Sequence, residues 1–320
     1  MARVVVTGKI PSGGLERLKA EHEVTSWEKD DAISRAELLT MVAGADAIVS
    51  LLTEKIDDEL LDAAGPQLKS VSNVAVGYNN IDVPACEKRG VLVTNTPGVL
   101  TEATADIAMS LILMATRRLG EGERVIRAQE PWQWGMFYML GMGLQGRQLG
   151  IVGMGQIGIA TARRAKAFGM NIAYTRRSPL EDNVVKELDA KYMSMDELIE
   201  SSDVLSLHCP YSPATHHLMS ENQFARMKKT AFLINTARGP IVHEQALVDA
   251  LKSGQIAGAG LDVFENEPAV NPGLLELDNA VLIPHLGSAT VETRAAMADI
   301  AATNALAILA GAQAPNLVTS

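Results

Sequence analysis

Residues 149–158 have the sequence LGIVGMGQIG, and this stretch decides the fold. The apolar run predicts a buried strand, and Gly153, Gly155 and Gly158 follow it where a helical pattern begins. The first glycine permits a tight turn, the second lets the backbone approach a pyrophosphate, and the third lets the helix pack closely on the strand. Free N–H groups at the start of that helix attract phosphate. We predict a dinucleotide site here; a glycine-rich turn without a ligand is the alternative.

Short apolar strands alternate with helical segments on both sides of this stretch. The predicted strands are residues 4–7, 47–52, 70–74, 92–94, 149–152, 171–174, 204–208, 231–235, 258–261 and 281–283. Alternating strands and helices predict parallel sheets covered by helices. A length of 320 residues fits two domains of roughly 150 residues each. The sequence therefore predicts an α/β protein with two domains.

A turn near Pro97 marks the predicted joint between the domains. Thr101 is the expected N-cap of the next helix, with Glu102 and Asp106 in its first turns. This helix is too apolar to be solvated on all sides, so we expect it to pack between domains or against a second subunit. A final helix over residues 290–310 is expected to cross back to the first domain, which would make that domain discontinuous.

Charge and composition exclude several classes of protein. The formal net charge is −10, so nucleic acid is an unfavourable partner. An uncharged apolar run of about 18 residues, as a membrane helix needs, does not occur, and the first residues lack a signal-peptide layout. Two cysteines, Cys86 and Cys209, do not make a disulfide framework. We therefore expect a cytoplasmic protein.

Metal catalysis is not expected. His208, His216 and His217 are close in sequence, but adjacent histidines are expected to point in different directions, and no metal-binding spacing occurs. His22 and His243 are expected to be ordinary surface or loop residues. Cys209 precedes a proline without an evident base, which argues against a nucleophilic role.

The end of the strand after the glycines predicts which cofactor binds. An NAD site usually has an acidic residue about 20 residues past the glycines, but residues 174–178 read YTRRS. Arg176 and Arg177 can instead pair with a 2′-phosphate, to which Thr175 or Ser178 can hydrogen-bond. NADP(H) is therefore favoured over NAD(H); a solvated basic turn is the alternative.

Three later segments each end a predicted strand and carry polar side chains. They are FLINTARG with Arg238, LDVFENEP with Asp262, Glu265 and Glu267, and LIPHLGSAT with His285. Ligands of parallel sheets bind beyond the carboxyl ends of the strands, so these groups are expected to converge. Histidine is suited to donate a proton, a carboxylate favours its charged form, and arginine can bind a substrate carboxylate. Taken singly, a packed histidine, a solvated glutamate and a turn-capping arginine remain alternatives.

In these segments and others, the chain resembles the D-isomer-specific 2-hydroxyacid dehydrogenases over nearly its whole length. The resemblance is carried by VAVGYNNIDVPACEKRGVLVTNTPGVLTEATAD, LGIVGMGQIG, FLINTARG, LDVFENEP and LIPHLGSAT, in that order. Within the family, TPGVLTEATAD, the two arginines and HCPYSPATHHL look most similar to glyoxylate/hydroxypyruvate reductases.

The resemblance implies a role for each matching residue. Arg238 would bind and polarise the substrate, His285 would be the acid/base, and Glu267 would pair with it. Val76, Gly77 and Leu52 would lie at the substrate, together with Arg238 and His285. The residues implied at the cofactor are Thr104, Gly153, Gly155, Gln156, Ile157, Gly158, Thr175, Arg176, Arg177, Ser178, Cys209, Pro210, Thr215, Thr236, Ala237, Arg238, Asp262, His285 and Gly287.

The implied architecture is a flavodoxin-like substrate domain of residues 1–99 and 286–320, with a Rossmann NAD(P)-binding domain of residues 100–285 inserted in it. A homodimer held largely by the nucleotide domains is also implied. In similar enzymes an aromatic side chain reaches the partner's active site. Trp134 or Tyr138 would do so here, and a packed dimer contact is the alternative.

The function implied is NADPH-dependent reduction of glyoxylate or hydroxypyruvate, with His285 as proton donor. An apolar loop around Leu52 favours a substrate with a small uncharged tail. Two alternatives stay open. One is an NAD-linked dehydrogenase of the D-lactate or phosphoglycerate type, and the other is a dinucleotide-sensing, corepressor-like interaction protein.

Overall fold

The computed structural model describes residues 1–318, which divide into two compact units. The first unit is Met1–Leu100 with Ala289–Ser320, and the second is Thr101–Ser288. Sequence analysis places the boundaries after residues 99 and 285, one and three residues before those of the structure.

A parallel five-stranded sheet forms the centre of the first unit. Its strands are β1 (Arg3–Val6), β2 (Glu23–Ser26), β3 (Ala47–Ser50), β4 (Ser70–Asn73) and β5 (Leu92–Thr94). The helices between them are α1 (Ser12–Glu21), α2 (Arg35–Val42), α3 (Asp58–Ala64) and α4 (Val83–Lys88). The spatial order is β2-β1-β3-β4-β5, which is the flavodoxin-like order 2-1-3-4-5.

Helices cover both faces of this sheet, because alternate side chains of β1 are buried on opposite sides. Val5 packs in one cluster with Leu60 of α3. Val4 and Val6 pack on the other face with α1 and with Ala301 of the C-terminal helix Val291–Leu309. The last helix of the chain therefore completes the core of the first unit.

A parallel seven-stranded sheet forms the centre of the second unit. Its strands are β6 (Gln148–Val152), β7 (Asn171–Thr175), β8 (Lys191–Tyr192), β9 (Val204–Leu207), β10 (Phe232–Asn235), β11 (Gly258–Leu261) and β12 (Ala280–Leu282). Its helices are α5 (Thr101–Thr116), α6 (Leu119–Arg127), α7 (Gln156–Ala167), α8 (Asp182–Leu188), α9 (Met195–Ser201), α10 (Glu221–Arg226), α11 (Glu244–Lys252) and α12 (Pro272–Leu275). A short 3₁₀ helix spans Gly239–Ile241, and the C-terminal helix of the first unit is α13.

The strand order of this second sheet locates a ligand site. The order is β12-β11-β10-β9-β6-β7-β8, so β6 has β7 on one side and β9 on the other. Counted from β6, this is the Rossmann order 3-2-1-4-5-6 with one strand added at the end. The order reverses between β6 and β9, and ligands of such sheets bind beyond the carboxyl ends of the strands at this point.

The predicted fold class, two doubly wound parallel sheets, is confirmed. The sequence prediction missed β2 and β8, which lie at sheet edges. An edge strand is paired on one side only; β2 alternates between exposed and half-buried residues, and both residues of β8 are exposed. Neither strand therefore contains the buried apolar run by which the other strands were recognised.

The apolar helix after the joint also differs from the prediction. Thr101 is the first residue of α5, not its N-cap. The apolar face of α5, with Leu111 and Ile112 fully buried, packs on α7 and on the sheet of its own unit. The expected contact between domains or subunits is therefore wrong for this face, because the sheet supplies the partner. Among the helices of residues 1–318, none is both long and apolar enough to cross a membrane.

Candidate active site

The glycine loop after β6 has the geometry that the sequence predicted. Gly153 has a φ of 89°, and a Cβ built there would lie 2.5 Å from the backbone nitrogen of Cys209. A Cβ at Gly158 would lie 3.0 Å from the carbonyl oxygen of Gly153. Glycine is therefore required at position 153, where the turn after β6 passes close to the backbone after β9. It is favoured at position 158, where α7 packs against that turn.

The second glycine of the loop fits a dinucleotide for a different reason. Gly155 is the N-cap of α7, and a Cβ at this position would point into open space. Because no side chain projects at this position, the backbone there and the free N–H groups at the start of the 12-residue helix α7 can approach a pyrophosphate closely. The residues present thus fit the phosphates of a nicotinamide dinucleotide.

A cationic segment follows β7 beside this loop. Arg176 and Arg177 are exposed, as is Ser178. The Arg176 guanidinium donates a hydrogen bond to the carbonyl oxygen of Met154 at 3.3 Å, so it lies beside the glycine loop. Thr175 accepts the Gly153 N–H through its carbonyl oxygen at 3.0 Å. The end of β7 thus offers positive charge next to the predicted pyrophosphate position.

The loop after β10 presents Arg238. The buried Asn235 side chain accepts the Ala237 N–H at 3.0 Å and donates to the Arg238 carbonyl oxygen at 2.9 Å. Burial lowers the pKa of Arg238 from its ordinary value, while the negative charge of Glu267 acts in the opposite direction. Sequence analysis missed Asn235; a buried polar residue at a strand end was the only available signal.

Glu267 and His285 form a hydrogen-bonded pair beside Arg238. His285 Nδ1 and Glu267 Oε2 are 2.7 Å apart, and the Phe264 N–H donates to Glu267 Oε1 at 2.9 Å. Burial raises the pKa of Glu267, but its hydrogen bond and charge interaction with His285 outweigh burial, and the pKa lies below its ordinary value. The carboxylate therefore carries a charge and engages Nδ1, so Nε2 is the ring atom left to act on a substrate.

Asp262 shapes the segment that carries His285. It is buried, and its carboxylate accepts the backbone N–H groups of Leu286 and Gly287. Its carbonyl oxygen accepts the His285 N–H at 2.9 Å, and Thr104 donates to the Gly287 carbonyl oxygen at 3.0 Å. Asp262 thereby holds the turn in which His285 adopts a left-handed φ of 51°.

The loop after β9 completes this edge of the sheet. Cys209 is buried against Gly153, and Thr215 donates to the Pro210 carbonyl oxygen at 2.9 Å, which closes the loop. Burial raises the pKa of the Cys209 thiol to about 11, which favours the protonated, poorly nucleophilic form near neutral pH. The hydroxyl of Thr236, after β10, is buried without a hydrogen-bond partner among the described residues.

One expectation about the histidines is wrong. The rings of His216 and His217 do not diverge but stack with centroids 3.8 Å apart, because His217 has a left-handed φ of 50°. His243 is the N-cap residue of α11, and its ring lies 4.6 Å from that of His217. His208 hydrogen-bonds to Ser206, and burial lowers its pKa to about 4. Within residues 1–318, no three His, Cys, Asp or Glu side chains are grouped to hold a metal ion.

Three of the residues predicted at the substrate lie in the first unit, after the carboxyl ends of β3 and β4. Asn95 donates to the Val76 carbonyl oxygen at 2.8 Å, and Asn73 donates to that of Gly77 at 2.9 Å. Leu52 lies in the loop after β3 and is half-buried. The side-chain amides thus fix the direction of the peptide groups in this loop.

Known proteins resemble the chain closely. The family described as "D-isomer specific 2-hydroxyacid dehydrogenase, NAD binding domain" matches residues 109–287. A glyoxylate reductase of Korarchaeum cryptofilum is 49% identical over 99% of this chain and 95% of its own.

Two solved structures are similar over the whole chain. A glyoxylate reductase from Paecilomyes thermophila is 36% identical with a TM-score of 0.89, covering 99% of this chain and 98% of that one. An NADPH-dependent glyoxylate/hydroxypyruvate reductase from Sinorhizobium meliloti, in complex with NADP and malonate, is 37% identical with a TM-score of 0.85, covering 99% and 97%. The chain therefore belongs to the D-isomer-specific 2-hydroxyacid dehydrogenases, a family of NAD(P)-dependent enzymes.

Proposed function

We propose that this enzyme reduces glyoxylate or hydroxypyruvate to the corresponding 2-hydroxy acid, with NADPH as the preferred reductant. The observation that carries the proposal is the pair of Glu267 and His285, 2.7 Å apart and next to Arg238, at the same sheet edge as the glycine loop. An acid, a cation and a dinucleotide fold at one edge are what reduction of a keto acid requires.

A nicotinamide dinucleotide held at Gly153, Gly155 and the start of α7 would supply the hydride for the carbonyl carbon. His285 Nε2–H donates the proton to the carbonyl oxygen as negative charge develops there. Glu267, hydrogen-bonded to Nδ1, holds the ring in orientation and places a negative charge beside it. Arg238 binds the substrate carboxylate and draws electron density from the carbonyl. In oxidation of the hydroxy acid the same histidine accepts the proton.

The first unit would be the substrate domain. Its predicted contribution is the backbone N–H groups of Val76 and Gly77, which bind the substrate carboxylate, and an apolar contact from Leu52 beside the substrate's short tail. The asparagine contacts to the carbonyl oxygens of residues 76 and 77 support the first role, because they set where the neighbouring N–H groups point.

Preference for NADPH is proposed from the end of β7. Arg176 and Arg177 are exposed beside the glycine loop, and the first carboxylate after β7 is Glu181, at the N-cap of α8. The solved relative from Sinorhizobium meliloti, which is described as NADPH-dependent, supports this preference.

A homodimer is part of the proposal. The segment between α6 and β6 exposes large apolar side chains, with Trp134 76% exposed and Phe137 89% exposed. Exposed apolar surface on this scale marks an interaction site, and closed two-fold dimers are the commonest assembly. Trp134 or Tyr138 would then lie near the partner's active site. A reducing compartment such as the cytoplasm is proposed because both cysteines are free.

Initial rates with glyoxylate and hydroxypyruvate, each with NADPH and NADH, test the proposal. We expect kcat/KM with NADPH to exceed that with NADH by at least about 10-fold, equivalent to about 1.4 kcal/mol. Equal rates with the two cofactors would overturn the cofactor preference. An absence of turnover with both keto acids and both cofactors would overturn the proposed reaction.

A further inference from the structure

We infer that His217 is a positioning residue, which holds the loop bearing Glu267 against the turn bearing Arg238 by way of Glu265. The inference rests on the proposed roles of Arg238 and Glu267. His217 is not expected to touch the substrate, and its effect is transmitted through hydrogen bonds.

His217 contacts both segments at once. Its backbone N–H donates to the Pro240 carbonyl oxygen at 2.9 Å, in the turn just after Arg238. Its ring Nε2 lies 2.6 Å from Glu265 Oε1, in the loop after β11. The pairing of Met219 with Val242 continues the attachment of this segment to the turn. A left-handed backbone at His217 permits its N–H and its ring to serve these two segments.

Glu244 holds Glu265 from the other side. The Glu265 N–H donates to Glu244 Oε1 at 2.6 Å, and the Glu244 N–H donates to Glu265 Oε2 at 3.2 Å. Glu244 is the first residue of α11 and is buried. Burial raises the pKa of Glu265, but the hydrogen bonds from His217 and from the Glu244 N–H, with the histidine's charge, lower it overall, so Glu265 is charged.

The two loops are in close backbone contact. A Cβ at Gly239 would lie 1.8 Å from the Phe264 carbonyl oxygen and 2.4 Å from the Glu265 nitrogen. The backbone after Arg238 is therefore in direct contact with the backbone before Glu267, so a small shift of one loop is transmitted to the other. Loss of the His217 contact is expected to free Glu265 at this junction and to shift the adjacent Phe264 N–H, which binds Glu267.

The expected consequence is that Glu267, and with it the ring of His285, shifts from its position while the protein stays folded. A shift of about 1 Å in reacting groups costs on the order of 100-fold in rate. The glycine loop follows β6, two strands away from β10 in the sheet, so we expect binding of the cofactor phosphates there to depend little on this junction.

Substitutions at His217 and one control test the inference. His217→Leu removes the hydrogen bond to Glu265, and His217→Gln restores a donor close to the position of Nε2. His22→Leu is the matched control, because this imidazole lies in the first unit, where its Nδ1 is 3.4 Å from the Ala2 nitrogen. His217→Asn replaces the leucine variant if that protein does not fold, since its shorter amide does not reach Glu265.

We expect kcat for glyoxylate reduction to fall about 10- to 100-fold in His217→Leu, with recovery to within about threefold of wild type in His217→Gln. The Kd for NADPH, from its fluorescence on binding, is expected to be unchanged. The isotope effect on kcat with NADPH deuterated at the transferred position is expected to rise, because hydride transfer becomes rate-limiting. The control is expected to retain wild-type kinetics.

Two outcomes would overturn the inference while leaving the proposed function intact: an unchanged kcat in the leucine variant, or a glutamine variant as impaired as leucine. Parallel loss of NADPH binding and kcat would assign His217 a general structural role and also overturn it. A wild-type enzyme that reduces neither keto acid would overturn the proposed function itself, and the inference with it.

Discussion

Replacement of Glu267 by Gln isolates the charge of the catalytic pair. The amide keeps the size of the side chain and can still accept the Phe264 N–H, but it cannot offer a negative charge to His285 Nδ1. A hydrogen bond to a charged group contributes about 1.5–3 kcal/mol. The two side chains are 32% and 33% exposed, so solvent screening favours the lower end of this range.

A loss of about 1.5 kcal/mol corresponds to about a tenfold change in rate. The hydrogen bond and charge interaction with His285 hold the pKa of Glu267 below its ordinary value, so the carboxylate is charged near neutral pH and loses its charge only as the pH falls through that lowered pKa. Near neutral pH, Glu267→Gln is therefore expected to reduce kcat/KM for the keto acid about tenfold. This difference from wild type is expected to shrink in acid, where the Glu267 side chain of the wild type is also neutral.

The assay is the pH dependence of kcat/KM in both directions, followed by NADPH absorbance. Glu276→Gln is the control, because this glutamate is 72% exposed and pairs only loosely with Lys252, at 3.7 Å. Its profile is expected to match wild type. If Glu267→Gln kept the wild-type kcat/KM near neutral pH, the carboxylate charge would not support His285, and the proposed division of roles would be wrong.

Four further changes test three separate parts of the site. His285→Ala is expected to lower the reduction rate about 100-fold or more, and a near-normal rate would show that another group donates the proton. Arg176→Ala is expected to raise KM for NADPH about 10-fold with little change for NADH; an equal effect on both would separate this arginine from the 2′-phosphate. Gly153→Ala is expected to destabilise the fold by about 1–3 kcal/mol in urea denaturation, whereas Gly155→Ala, whose Cβ meets open space, should keep wild-type stability but weaken NADPH binding.

Features of the fold that depend on residues close together in the sequence could be predicted from the sequence alone. The strand, glycine turn and helix around Gly153 form within 20 residues, so periodicity and turn chemistry suffice to identify them. The edge strands β2 and β8 could not be recognised, because their residues are exposed or half-buried, whereas the edge strands β5 and β12 keep buried apolar residues and were predicted. The packing partner of α5 was also missed, since an apolar face does not reveal what covers it.

The catalytic residue types were predictable, but the contacts that hold them were not. His217 and Glu265 are 48 residues apart and meet only because β10 and β11 are neighbours in the sheet. The stacking of His216 on His217 depends on a left-handed backbone at a non-glycine residue, which sequence patterns do not indicate. Tertiary structure selected these conformations, and local propensity does not encode them.

Four carboxylates lie at the edge of the second sheet, and their surroundings separate them into two kinds. Burial raises the pKa of Asp262 and of Glu244, whose oxygens accept backbone N–H groups. Burial acts in the same direction on Glu265 and Glu267, but each also has an imidazole partner, and both pKa values lie below the ordinary value. Surroundings that move the pKa values of similar groups in opposite directions assign these groups different tasks. The charged pair members can therefore hold histidines in position, while the other two carboxylates organise the backbone that carries them.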